Sequence, residues 1–287
     1  MKKDLHLSVN TFLGLMQVFK NNGWDIPDRD AGYESRFNRF CERLSLLNAQ
    51  EQDLVIALTS HFKVINGNDY LQILIKLLND LHERHLVLFQ QTKKFFVLPL
   101  VAPQDLNKTK SSSFVWYYFR DEHIKYSPIF MEKKLVFCDM VKVEWIKNLK
   151  PAEAVILLDD YIGSGETAVD AINWIIKNYS IKPAQIIVLS IAAQEIGIQN
   201  LVNKTGVSVY SYYTYRRGIS DNYTGNQLDT YTKLMTNIED KLNVSNEYKF
   251  GYNQSEALIS LIRTPNNTFP VFWKPCKDNQ NVPFPRD

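Results

Sequence analysis

The stretch from Val155 to Thr167, VILLDDYIGSGET, constrains the fold of this chain more than any other segment. Its apolar run Val155 to Leu158 has the character of a strand buried on both faces, which belongs to a parallel sheet covered by helices. The run ends at two carboxylates, Asp159 and Asp160, and then at Gly163, Ser164 and Gly165, so the chain turns sharply where polar groups accumulate. Glycine is scarce, at 11 of 287 residues, about half the usual share of roughly 7%. Two glycines flanking one serine are therefore a local requirement and not a by-product of composition.

Each part of the segment has a physical use. Gly163 and Gly165 open backbone conformations closed to other residues and let a ligand approach the main chain. Ser164 and Thr167 supply hydroxyls, and the unpaired amides of a first helical turn, aided by the helix dipole, make an anion site suited to a phosphate. Asp159 and Asp160 lie at the carboxyl end of the strand, where α/β sheets place ligands, and adjacent acids there suit sugar hydroxyls and a hydrated Mg²⁺. Three other readings compete. A nucleotide P-loop requires a lysine that is absent here. Gly163 to Ala168 fits GxGxxA, but acids precede it and no Asp or Glu follows about 20 residues on, as a dinucleotide site would need. A plain solvated turn accounts for the glycines but not for two acids with two hydroxyls.

The surrounding pattern favours an α/β fold. Phe37, Phe40, Cys41, Leu44 and Leu47, and again Leu71, Leu74, Ile75, Leu78 and Leu81, recur at helical spacing, while Leu54, Leu58 and Phe62 sketch a helix between them. From Phe95 onward, short apolar runs take over: Phe95 to Val101, Leu135 to Cys138, Ala154 to Leu158, Ile186 to Ile191 and Val207 to Tyr210. Helix-length segments, Thr167 to Asn178 and Gln194 to Asn203, separate the later runs, and such alternation predicts a parallel sheet with helices on both faces. Leu228 to Leu242 and Ser255 to Ile262 read as further helices, followed by a proline- and aromatic-rich tail. A helical region of residues 1–92 is thus expected to precede an α/β region of residues 93–287.

Composition narrows the function classes. With 45% apolar and 22% charged residues the chain reads as an ordinary globule, and no apolar stretch reaches the roughly 18 residues of a bilayer helix. Met1-Lys2-Lys3 leads into Asp4, His6 and Ser8 instead of a signal-peptide core, so a cytoplasmic location is expected. A formal charge of +2 gives no bulk drive toward nucleic acid. Cys41, Cys138 and Cys276 are widely spaced and are expected as reduced thiols.

Asp159 to Thr167 resembles the phosphoribosyl diphosphate motif of type I phosphoribosyltransferases, in which an apolar strand leads into two acids and a glycine loop rich in Thr and Ser. The resemblance implies that fold for residues 93–287, with a C-terminal hood segment. It implies that Asp159 and Asp160 hold the ribose hydroxyls, partly through Mg²⁺, and that Gly163, Ser164, Gly165, Glu166 and Thr167 hold the 5′-phosphate. That family also carries a pyrophosphate loop after its first core strand. Here Ala102 to Ser113 occupies this place, with Lys108, Lys110 and Ser111 as candidate diphosphate contacts and Ser112 or Ser113 as helix cap. A solvated basic loop is the competing reading. Two departures stand out: Gly163 replaces an acid found near the base in purine salvage members, and Glu166 puts a carboxylate at the phosphate loop.

Together with that loop, Arg263 to Trp273 looks like the phosphoribosyltransferase-like proteins of bacterial conflict systems, retron-linked antiphage cassettes among them. Asn266 and Asn267 are candidate contacts to a base or ribose edge, with Phe272 or Trp273 stacking on a ring, against a plain packed tail. The resemblance implies phosphoribosyl diphosphate or a related nucleotide as ligand, admits a protein or retron ribonucleoprotein partner and oligomers, and leaves open an enzyme or a non-catalytic nucleotide-binding sensor or regulatory subunit of a defence complex. His82 and His85 have near-ligand spacing without a third ligand. Arg216 and Arg217, and the tyrosines 210, 212, 213 and 215, read as a basic turn and an aromatic rim.

Overall fold

The computed structural model describes residues 7–26, 35–105, 108, 110–139 and 144–286. The N-terminal segment forms helices α1 (Val9–Asn21), α2 (Arg36–Ser45) and α3 (Ala49–Ser60) and a short strand β1 (Lys63–Val64). Next come α4 (Tyr70–Arg84), α5 (Leu86–Gln91), β2 (Lys94–Pro99), α6 (Ser112–Tyr118), α7 (Glu122–Lys125) and β3 (Lys134–Phe137). The long central strand β4 (Glu153–Ile162) leads into α8 (Glu166–Tyr179), β5 (Ile186–Gln194), α9 (Glu195–Thr205) and β6 (Ser208–Tyr215). Helix α10 (Gly225–Lys241) and strand β7 (Ile259–Ser260) follow.

These elements form two compact units, one of Asn66–Tyr215 and one of Met1–Ile65 with Arg216–Asp287. The chain thus divides differently from a linear split at residue 92. Helices α4 and α5 belong with the sheet, and the terminal segment completes the unit that the first three helices begin. A single apolar cluster joins Phe19, Phe40, Leu54, Phe62, Met235, Phe272 and Phe284 in that second unit. Phe62 and Phe284 stack with centroids 4.2 Å apart and planes 2° from parallel. An Asn48–Glu51 capping box starts α3, and β1 pairs in parallel with β7.

In the sheet unit the five strands run parallel in the order β3-β2-β4-β5-β6. Val155, Leu157, Ile186 and Val188 pack with Ile172 and Ile175 of α8 and Leu201 of α9. On other strand positions Trp116 of α6 donates its indole N–H to the Val97 carbonyl at 2.9 Å, and Tyr210 meets His85 after α4 at 2.8 Å. Helices therefore cover both faces, which is why the strands read as unbroken apolar runs. The strand order reverses between β2 and β4, and the crevice at the carboxyl ends of such a pair is the usual ligand position of a doubly wound sheet.

Two local expectations change. Ser255 to Ile262 is not helical: Asn253, Gln254 and Glu256 hold positive φ values of 53°, 52° and 50°, which breaks a helix, and Ile259 and Ser260 extend as β7. Strand β6 runs on to Tyr215, past the expected end at Tyr210, because its later tyrosines continue the pairing with β5.

Candidate functional site

Strand β4 delivers Asp159 and Asp160 to the crevice beside β2. Asp160 is buried and accepts a hydrogen bond from the Ser111 hydroxyl at 2.6 Å, while Asp159 Oδ1 accepts the Asp160 amide at 2.9 Å. Ser111 immediately precedes α6 in helical backbone conformation and does not cap it; neither does Ser112, whose hydroxyl is buried without a hydrogen-bond partner among the described residues, nor Ser113, inside the helix. The Ser111 hydroxyl, expected as a diphosphate contact, links the lysine loop to the acid pair. Burial pushes both carboxyls above their ordinary range. For Asp159 the neighbouring Asp160 adds to the rise and Lys110 opposes it; for Asp160 the hydrogen bonds from Ser111 and Asp159 oppose it. Two adjacent acids, Asp160 buried and Asp159 partly buried, do not both ionise readily without a cation or donors from a ligand.

The loop after β2 supplies the positive charge. Lys108 Nζ lies 2.8 Å from Asp105 Oδ1 and Lys110 Nζ 2.6 Å from Asp105 Oδ2. Burial raises the Asp105 carboxyl, but its bonds and charge contacts with the two lysines outweigh this and hold it below the ordinary range. Leu106, Asn107 and Thr109 of this loop lie outside the described residues. The lysines thus share one resident counter-ion, and a diphosphate would compete with it.

The glycine loop has a packing role as well. Gly165 adopts φ +79°, and a Cβ there would stand 2.5 Å from the Gly197 carbonyl oxygen of α9. A Cβ on Gly197 would stand 2.0 Å from the Gly163 carbonyl oxygen. Asn200 of α9 donates to the Ser164 carbonyl at 2.9 Å. Close seating on α9 therefore explains Gly165 and Gly197 without any ligand, beside the backbone freedom and ligand approach expected of Gly165. No side chain caps the N-terminus of α8, and the first intrahelical bond is from Val169 N–H to Gly165 O at 2.9 Å. The amides of the preceding turn keep the anion-binding geometry of a helix start. Glu166 and Thr167 are exposed, and the α8 dipole favours a carboxylate in this first turn.

Asp159 and Asp160 of β4, the loop after β2 with Lys108, Lys110 and Ser111, and the loop from Gly163 to Thr167 after β4 therefore belong to two neighbouring strands and their connections in one unit. Residues 40–286 match the PRTase-CE family. The chain belongs to that family. It is a phosphoribosyltransferase-like family, in keeping with the resemblance carried by Asp159 to Thr167. No curated protein gives a significant match.

The PRTase-CE match extends through the tail, where Asn266 and Asn267 belong to the unit of the terminal segments. Asn267 commits its amide to the Ser255 hydroxyl at 2.8 Å, and its carbonyl packs against Gly251, where a Cβ would stand 1.9 Å away. Phe272 is fully buried in the apolar cluster, and the Trp273 indole donates to the Thr268 carbonyl at 2.6 Å. The packed-tail reading accounts for these contacts. Arg217 pairs with Asp221 at 2.8 Å. Among the described residues no group of three or more His, Cys, Asp or Glu gathers as a metal site, and no helix is long and apolar enough to cross a membrane. Sequence reading missed Asp105, Gly197 and the Ser111 bridge. Gly197 had a signal, a rare residue inside a helical pattern. The other two had none, since their partners are distant in the chain.

Proposed function

We propose that this PRTase-CE member binds phosphoribosyl diphosphate with Mg²⁺ and transfers its ribosyl phosphate to a nitrogenous acceptor. The observation that carries this reading is the meeting of the acid pair, the glycine loop and the lysine loop at the reversal of strand order. In the reaction the acceptor nitrogen forms a bond to the ribose anomeric carbon as the bond to the diphosphate oxygen breaks. The electron pair leaves with the diphosphate, and the acceptor's surplus proton passes to solvent. Such a centre gains most from fixed positions and charge. The first-turn amides of α8 with Thr167 hold the 5′-phosphate, Asp159 and Asp160 hold the ribose hydroxyls, and Lys108 and Lys110 neutralise the leaving diphosphate.

Mg²⁺ fits this donor set in one way. Two carboxylates without a third acid make a poor cage, but Mg²⁺ commonly takes one or two carboxylates and completes its shell with water and substrate phosphates. Bound there through Asp159 and Asp160, it supplies charge neutralisation of the diphosphate. A second reading, a nucleotide-binding sensor or regulatory subunit of an antiphage complex, with a protein or retron ribonucleoprotein partner, draws support from Gly163, which offers no side chain to a base. Incubation with phosphoribosyl diphosphate, Mg²⁺ and a panel of purine, pyrimidine and pyridine bases separates the two. Pyrophosphate release with at least one base supports transfer; ligand binding with no release across the panel supports the sensor.

A further inference from the structure

The unit of the terminal segments holds two buried carboxylates that grip main chain instead of cations. Glu239, near the end of α10, is fully buried, and both its oxygens accept the Phe250 amide, at 2.9 and 3.0 Å. Glu256 is also buried; one oxygen accepts the amides of Ile219 and Ser220 at 2.7 Å each, and the other takes the Ser220 hydroxyl. The two acids are linked through the chain they hold, since the Glu256 amide donates to the Phe250 carbonyl at 2.7 Å. The segment 243–256 contains one short helical turn, Tyr252–Gln254. Among the described residues seven non-glycine residues have positive φ, and five of them, Asn243, Phe250, Asn253, Gln254 and Glu256, lie in this segment. Side chains are disfavoured in that conformation, so the two carboxylates hold a backbone that relaxes once it is let go.

The cations near Glu239 are committed elsewhere. Lys249 of the segment pairs with Asp240, the neighbour of Glu239 on α10, at 2.5 Å, and Arg217, which faces Glu256, pairs with Asp221. Of the elements packed on α10, helix α3 brings Glu51, paired with Lys241, and the turn Pro270–Phe272 brings no charge. Burial pushes the Glu239 carboxyl up to about 8; Asp240 and Glu256 add to the rise, while the Phe250 amide and Lys249 oppose it. The stability contributed by the neutral acid is complete below the ordinary glutamate range and is lost as pH rises through about 8. Once ionised, Glu239 is a buried charge beside two other carboxylates, and it requires water. The strained segment over it is the part that opens to admit water at least cost. We infer that segment 243–256 is a strap released at alkaline pH: ionisation of Glu239 draws in water and opens the chain at Phe250 while α3 and α10 stay folded. This inference does not depend on the proposed transferase reaction.

The test follows amide hydrogen exchange of the full chain between about pH 6 and pH 9.5, each amide read as a protection factor against its intrinsic rate at that pH. In the wild-type protein the protection of the Phe250 amide is expected to fall about tenfold or more above pH 8, with the α3 amides of the same unit unchanged. Glu239→Gln keeps the size of the side chain without its charge and is expected to remove the fall. Two changes beside the buried acid decide the matter where that variant does not fold. Asp240→Asn takes away a charge that raises Glu239 and moves the fall to lower pH; Lys249→Gln takes away one that lowers it and moves the fall to higher pH. Constant protection at Phe250 across the range, an equal fall in α3, the same fall in Glu239→Gln, or a midpoint unmoved by both neighbouring changes would overturn the inference.

Discussion

At the scale of single residues, the protonation of Asp159 and Asp160 is the sharpest consequence of the fold. Their folded values are raised by burial and, for Asp159, by the neighbouring charge, against an ordinary carboxylate value of about 4. Stability contributed by the protonated pair is complete below that value and is lost as pH rises through the raised folded values. Asp159→Asn with Asp160→Asn should therefore lose less stability as pH rises above the ordinary carboxylate range and melt higher than the wild-type protein at neutral pH, as thermal scans from acid to neutral pH would show. A parallel pH dependence in the two proteins would refute the assignment. Gly197 belongs to the same scale. Gly197→Ala drives a methyl into the Gly163 carbonyl and is expected to cost about 1 to 3 kcal/mol by denaturant unfolding.

At the scale of elements, the loop that leaves β2 is coupled to strand β4 by the bond from Ser111 to Asp160. Ser111→Ala removes a donor to a buried acid and should cost about 1 to 3 kcal/mol in chemical denaturation. Asp105 restrains the lysines in the free protein. Asp105→Asn should tighten diphosphate binding several-fold at low salt, an effect that fades as salt screens the charge; weaker binding by calorimetry would show that Asp105 orders the loop for the ligand. Much of this was legible in sequence. Val155 to Leu158 and Ile186 to Ile191 announced buried strands, and Asp159 to Thr167 announced the turn, because strand burial and glycine conformations depend on neighbouring residues. The bridge between positions 111 and 160 depends on strand order, which no local spacing encodes. Ser255 to Ile262 misled for a similar reason: its apolar spacing suits a helix, yet pairing of Ile259 and Ser260 with β1 wins.

At the scale of the whole molecule, the division into units follows contacts and not chain order, since residues 1–65 and 216–287 close one core between them. A linear reading placed the boundary at the change from helical to strand-like rhythm near residue 92, but helix α4 packs its Ile73, Leu74, Leu77 and Leu78 side inward within the sheet unit. Phe62 shows how the terminal segments hold together, with its ring stacked on Phe284 and 4.8 Å from Phe272. Phe62→Ala should cost about 3 to 5 kcal/mol in urea unfolding, and a loss below about 1 kcal/mol would mean that these rings do not form a packed core. The central claim concerns the sheet unit, and a calorimetric titration of phosphoribosyl diphosphate with Mg²⁺ tests it most directly. One Mg²⁺-dependent site is predicted in the wild-type protein, weakened about tenfold or more by Asp159→Asn with Asp160→Asn; equal affinity in the two proteins would contradict it.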